Sequence, residues 1–327
     1  MLRWPFKQGQ MHMALPVKFN IVVLGCMGGP GEQNLSSYLI APIGSSNYAA
    51  LDAGTLLPGI VMALKKKRIP EVPVTSYQPL VSEFEVLKNH VKAYLISHAH
   101  LDHVAGLIID SPGDSKKQIL GIDSTIDYIR DHLFNGAIWP NFSDEGEHAI
   151  GQYSYLRLPL GEKRKIPGTS MCVETYPLNH PCGYLSSAFL IEEKASYVLY
   201  VGNTSPDALE KKKCLHDLWK RVTPLIREDK LHAIFIECSY PDSAKDEELY
   251  GHLKPSYLMQ ELESLAHSVN SSHPEKALQK LKIFVVHIKS SSSQGLTYEE
   301  QVQMRLKELN RYHLPLFFPK QTDLLVV

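Results

Sequence analysis

Ser97-His98-Ala99-His100-Leu101-Asp102-His103 decides how this chain is read. Residues 91–97, VKAYLIS, form an apolar run of strand length, and residues 104–111, VAGLIIDS, read as the start of a helix. The histidines therefore sit on a loop at the carboxyl end of a strand. His98 and His100 alternate along an extended segment and point to one side, so both can reach one metal ion. Asp102 has the same parity, whereas His103 turns with the chain as the helix begins. Asp102 and His103 can thus serve a second ion close to the first. Imidazole with carboxylate suits zinc, manganese or iron, and the absence of sulfur argues against a purely structural zinc. Any one of these residues alone reads as a polar group satisfied locally. All four at these offsets arise by chance in roughly one chain in several hundred.

Outward from that loop the chain alternates. Strands are expected at VKFNIVVLG (17–25), SSYLIAP (36–42), NYAALDAG (47–54) and KQILGI (117–122), with helices over 56–64 and in STIDYIRDHLF (124–134). Pro70, Pro73 and Pro79 mark a connecting loop. In the second half, YLRLPL, MCVETYPL, SSAFLIE and SYVLYVG are successive strand candidates. Ser205-Pro206 has the form of a helix start, LHAIFIE and KIFVVHI are strands, and Pro255 opens a helix. Thr297 and Glu300 have capping-box spacing before a stripe of Val302, Leu306 and Leu309. Strands followed by strand–helix alternation, in both halves, indicate a layered α/β protein built of two similar halves. Residues 1–16 read as an extension, and 17–327 as one domain.

The 327 residues, 44% hydrophobic and 21% charged, suffice for a large core and exclude disordered and fibrous classes. With 34 basic against 35 acidic residues the net charge is -1, which supplies no footprint for a long polyanion. Five cysteines without a CxxC pair indicate neither a disulfide framework nor a sulfur-rich zinc site. No apolar run is long enough to span a bilayer. The expected setting is a reducing cytoplasm, with export left open. The expected partner is a small molecule, neither nucleic acid nor membrane, and a homodimer is left open.

The HxHxDH string after a strand resembles the signature of the metallo-β-lactamase superfamily. Its extension to Pro112 is similar to the signature of one branch, the class II cyclic-nucleotide phosphodiesterases. LGCMGGP (24–30), DHLFNGAIWPNF (131–142), IECSYP (236–241), LYGHLKPSYL (249–258) and VVHIKS (285–290) fit the same branch in the expected order. The resemblance implies a four-layer αβ/βα sandwich, with two mixed sheets face to face and helices outside. It implies two divalent ions, zinc first among candidates, and hydrolysis of cyclic AMP, with cyclic GMP as a further substrate, to the 5′-nucleotide. His98, His100 and His180 match the histidines of one metal; Asp102, His103 and His287 match ligands of the other. Asp52 matches an aspartate that supports the site from behind, although a turn-forming Asp before a glycine is an equal reading. His252 matches a position beside the metals, and Glu237 is its candidate partner, together an oriented general acid.

One position departs from the pattern. In Tyr200-Val-Gly-Asn-Thr-Ser-Pro-Asp207 the family has a metal-bridging Asp where this chain has Asn203. An amide keeps the shape and one neutral oxygen but loses the charge. Weaker metal occupancy and a reduced rate are expected, and Asp207 is not expected to substitute. Phe134, Trp139 and Phe142 are expected to fill core rather than stack on a base, and Lys289 reads as part of a solvated loop. Two other functions compete. A tRNA 3′-processing type of phosphodiesterase would need a basic arm that is lacking, and a non-catalytic cyclic-nucleotide or metal-binding protein is favoured by Asn203.

Overall fold

The computed structural model describes residues 18–72, 83–291 and 295–327. The extension expected at 1–16, and Pro73 and Pro79 of the connecting loop, lie outside the described residues. The first sheet contains β1 (Phe19–Gly25), β2 (Ser37–Pro42), β3 (Tyr48–Leu51), β4 (Val91–Leu95), β5 (Lys117–Gly121) and β6 (Tyr153–Arg157). The second contains β7 (Arg164–Lys165), β8 (Cys172–Asn179), β9 (Leu185–Glu193), β10 (Ser196–Val201), β11 (Leu231–Glu237), β12 (Lys282–Val286) and β13 (Leu316–Phe317). The chain returns to the first sheet with β14 (Leu324–Val326), giving the orders β14-β1-β2-β3-β4-β5-β6 and β13-β12-β11-β10-β9-β8-β7. Each sheet is antiparallel where its early strands pair and parallel from β3 to β6 and from β10 to β13.

Three apolar layers explain why these strands carry almost unbroken hydrophobic runs. β1, β2, β3 and β10 are buried along their whole length, as strands covered on both faces must be. Between the sheets, Tyr38, Phe189, Tyr200, Phe235 and Phe284 interdigitate, with Tyr38 5.6 Å from both Tyr200 and Phe235, ring centre to ring centre. Helices α1 (Leu57–Lys65), α2 (Glu83–Asn89), α3 (Leu101–Asp110) and α4 (Asp123–Tyr128) cover the first sheet. On the second lie α5 (Cys214–Arg227), α6 (Pro255–Val269), the short α7 (Pro274–Ala277) and α8 (Tyr298–Leu309). The four-layer αβ/βα sandwich is the architecture expected.

At several points the local structure differs from what the sequence predicts. The helix after the histidine loop starts at Leu101, with His100 extended as its cap at φ -67° and ψ 148°. Asp102 and His103 therefore both lie in its first turn, and Asp102 owes its position to helical spacing rather than strand parity. A carboxylate there also complements the helix dipole. Ser205-Pro206 does not open a helix. It leads into a single 3-10 turn, Asp207–Leu209, and the Asp207 carboxylate instead accepts from the N–H groups of Leu215 (3.2 Å) and His216 (2.8 Å) at the start of α5. The helix expected over 124–134 is α-helical only to Tyr128 and continues as a π-helical turn, Ile129–Leu133. Helix α2 and strands β13 and β14 carried no clear signal. The capping box of α8 forms as expected, the Thr297 hydroxyl accepting from Glu300 N at 3.2 Å and the Glu300 carboxylate from Thr297 N at 2.8 Å.

Candidate functional site

The carboxyl ends of the strands converge at one edge of the sandwich. β3 delivers Asp52, β4 the loop of His98 and His100, α3 Asp102 and His103, and the β8–β9 connection His180. β10 delivers Asn203, β11 Glu237, and the residue after β12 is His287. The nitrogens of His98, His100 and His180 lie within 4.8 Å of one another, and so do the ligand atoms of Asp102, His103 and His287. Within the first group His98 Nε2 is 3.2 Å from His100 Nδ1, which is 3.3 Å from His180 Nε2. Such mutual facing of imidazole nitrogens is unfavourable unless a proton or a cation lies between them.

Asp52 holds both groups from behind. Its carboxylate is fully buried and accepts from Ser97 N (2.7 Å), Ser97 Oγ (2.8 Å), Tyr200 OH (2.6 Å) and His103 Nδ1 (2.7 Å). That contact puts the His103 proton on Nδ1 and aims the Nε2 lone pair at Asn203. His180 is oriented likewise, its Nδ1 donating to the Gly251 carbonyl at 3.0 Å. Gly251 has φ +81°, and a Cβ there would meet Pro181 Cδ at 2.1 Å, so only glycine brings the carbonyl this close. His287, at φ +58°, pairs through Nδ1 with Ser36 Oγ at 2.8 Å. The supporting role of Asp52 carries a stability forecast. Asp52→Ala strands several buried donors and should cost about 3–5 kcal/mol. Denaturant unfolding checks this, and a shift within experimental error would contradict it.

Asn203, 2% exposed, lies between the two groups. Its amide nitrogen is 3.0 Å from His103 Nε2, 3.1 Å from His287 Nε2 and 3.5 Å from His98 Nε2. Because Asp52 holds the His103 proton on Nδ1, the amide turns its N–H side to this nitrogen. The Lys289 ammonium is 3.9 Å from the Asp102 carboxylate and donates to the Gly28 carbonyl at 2.8 Å, so Lys289 is tied down beside Asp102 rather than held in a solvated loop.

Burial, then repulsion by neighbouring His103, pushes the pKa values of His98 and His287 well below the ordinary imidazole range. Burial lowers His100 as well, and burial with the nearby His252 takes His180 down to about 2. Burial also works against the charged form of His103, but Asp52 and Asp102 outweigh it and its pKa is raised. Neutral imidazoles with free lone pairs are what a divalent ion needs. The same shifts predict acid sensitivity with no ion bound. A lowered imidazole means that the unfolded chain takes up more protons. The stability contribution is therefore complete above pH ~6.5 and falls as pH drops towards the folded values, by up to ~1.4 kcal/mol per pH unit per residue. His103 acts oppositely, its contribution being present below ~6.5 and lost as pH rises. Thermal unfolding of chelator-treated protein should fall steeply below pH ~6.5; a flat profile from 6.5 to 5 would count against it.

His252, 5% exposed, lies beside both groups, its ring 5.5 Å from that of His287 and 5.2 Å from that of His180. Glu237 Oε1 is 2.9 Å from His252 Nδ1 and accepts from Thr204 N at 3.0 Å. Its Oε2 is 2.5 Å from Ser239 Oγ and 3.3 Å from Leu253 N. One carboxylate thus ties the histidine to the Asn203 loop. Phe134 is fully buried, Trp139 and Phe142 pack on the same core, and Trp139 Nε1 donates to Ser111 Oγ at 3.0 Å, so these aromatics are core as expected. The supporting roles of Ser36, Ser97, Tyr200 and Ser239 have no signature in the sequence, where isolated hydroxyls carry no pattern.

The model for cAMP phosphodiesterases class-II matches residues 18–313. The 3′,5′-cyclic-nucleotide phosphodiesterase of Aliivibrio fischeri is 35% identical over 306 residues, covering 93% of this chain and 92% of that protein. Unliganded yeast PDE1 superposes with a TM-score of 0.80 at 25% identity, over 94% of this chain and 98% of its own. The metallo-β-lactamase fold protein YhfI of Bacillus subtilis matches with a TM-score of 0.60 at 14% identity, over 95% of this chain and 100% of its own, a likeness of fold. Among the described residues no helix is long and apolar enough to cross a membrane.

Proposed function

Since the chain belongs to the class II cyclic-nucleotide phosphodiesterases of metallo-β-lactamase fold, we propose that it opens the cyclic phosphate of cyclic AMP, and of cyclic GMP, to the 5′-nucleotide. His98, His100 and His180 would hold one divalent ion, and Asp102, His103 and His287 a second, with zinc ahead of manganese or iron. The observation that carries this is the meeting of two nitrogen-rich groups, the ligand atoms of each within 4.8 Å of one another, on either side of the Asn203 amide. The donor set fits: its imidazoles are mostly neutral and their outer nitrogens are held by Asp52, Ser36 and the Gly251 carbonyl. When bound, the ions would supply Lewis acidity to the phosphoryl oxygens and acidify water.

The side chains account for the remaining work. Glu237 accepts from His252 Nδ1, which leaves Nε2 to carry the exchangeable proton towards the departing ribose oxygen. An alkoxide is a poor leaving group, so a proton delivered there lowers the barrier to P–O3′ cleavage. Lys289 adds positive charge beside Asp102 for the phosphoryl group. Asn203 lowers the rate, since it brings no charge where two cations are to be held. Incubation of the purified protein with cyclic AMP or cyclic GMP and zinc or manganese tests the reading. The 5′-nucleotide is the expected product; the 3′-nucleotide, or no turnover even with Asp at 203, would overturn it. Asn203 also motivates a second reading, a protein that binds cyclic nucleotide without turnover. Tight binding with no product in both forms would favour that.

A further inference from the structure

Four of the five histidines in the two groups are held at their outer nitrogen by a hydrogen bond. His98 Nδ1 donates to Ser97 Oγ at 3.0 Å, His103 Nδ1 to Asp52 and His180 Nδ1 to the Gly251 carbonyl, while His287 Nδ1 pairs with Ser36 Oγ. His100 differs. Its Nδ1 is the atom that faces His98 and His180, and among the described residues no group meets its Nε2 with a hydrogen bond. It is also the least buried member of its group. What it has instead is a ring. Tyr184 stacks on it at 4.9 Å and 25°, a spacing at which aromatic pairs attract. Tyr128 covers the other face of Tyr184 at 4.9 Å and 10°, so the tyrosine is pinned on both sides. Its hydroxyl accepts from Ala99 N at 3.1 Å, between His98 and His100. Its backbone closes the turn that carries His180, with His180 N donating to the Tyr184 carbonyl at 3.0 Å and Tyr184 N to the Pro181 carbonyl at 3.1 Å.

We propose that Tyr184 is a positioning residue of the first metal group, its ring giving His100 the fixed orientation that a hydrogen bond gives the other four histidines. This deepens the metal site proposed above and rests on it. A ligating imidazole must aim its lone pair, and a partner on the other nitrogen usually sets that aim. Because the imidazole is anchored at Cγ, fixing its plane also fixes where Nδ1 points. The remaining ring contacts of Tyr184 stay within the same group, at 6.1 Å to His98 and 6.1 Å to His180. Among the described residues none reaches His103 or His287, so the effect is confined to the first ion.

Zinc titration against a chromophoric chelator, run in two single-group backgrounds, tests this. In His287→Ala, which leaves the first group whole, adding Tyr184→Ala should weaken zinc about 10–100-fold. Tyr184→Phe keeps the stack, loses only the contact to Ala99 N, and should cost less than about tenfold. In His98→Ala, which leaves the second group whole, Tyr184→Ala should change zinc affinity by less than about twofold. Thermal unfolding of each metal-free protein verifies that it folds. Unchanged affinity in the first background would overturn the positioning role alone, and so would equal losses in both, the mark of a general loosening of the fold. If the native protein bound no zinc, manganese or iron, the metal site itself would fall and this role with it.

Discussion

Asn203→Asp should raise cyclic AMP turnover about 10²–10³-fold at saturating metal, by the size of one unit charge near ~4 Å from a cation at the effective dielectric of a protein site. In the native chain the amide nitrogen faces the Nε2 atoms of His103 and His287 at 3.0 and 3.1 Å. Its hydrogens occupy the lone pairs that a divalent ion would need, and ion entry must first break those contacts. A carboxylate reverses both effects, offering two anionic oxygens and no hydrogens. Metal content should rise in parallel, so elemental analysis after dialysis gives a readout independent of turnover. The metal-free variant should be less stable than the native protein, because the new carboxylate is buried and only partly compensated. Equal turnover and equal metal content in the two proteins would show that this position carries no bridging role.

His252→Ala should lower turnover of cyclic AMP about 10²–10⁴-fold with little change in metal content. The comparison that isolates its role uses bis(p-nitrophenyl) phosphate, whose leaving group needs no proton. Against that substrate the loss should shrink to less than about tenfold. Glu237→Gln should follow the same pattern more weakly. The amide retains one acceptor, but it turns N–H groups towards Thr204 N or Ser239 Oγ, where the carboxylate now accepts. If both substrates lost rate equally in His252→Ala, the histidine would be shaping the pocket, and proton delivery would have to be assigned elsewhere.

The histidine loop was legible because its information is local. A strand end, alternation and the onset of a helix place His98, His100 and His103 within a few residues, and steric rules over that distance admit few alternatives. Even there the parity argument misjudged Asp102, since the switch from period 2 to period 3.6 falls at Leu101, three residues before the apolar stripe begins. Ser205-Pro206 misled for a related reason. Its capping signal is genuine chemistry, but Asp207 spends its carboxylate on the backbone of α5 across a turn, and that choice depends on where α5 docks. Strand β14 has only three residues, too few for a pattern, and exists because β1 offers it an edge.

Taken alone, the sequence determined the layered α/β class, most of the strands in chain order and the chemical character of the histidine loop. It also exposed the amide at position 203, since identity at a motif position needs no coordinates. Tertiary structure decided what meets what. His180, Asn203, Glu237, His252 and His287 reach one edge only because two sheets present the carboxyl ends of their strands there. The same packing decided between the two readings of Asp52 by making it the acceptor of four hydrogen bonds, and lined Tyr128 up with Tyr184 and His100. Spacing along a chain constrains neighbours within a turn or a strand. Contacts across more than a hundred residues are set by how buried faces pack, and that has no local signature.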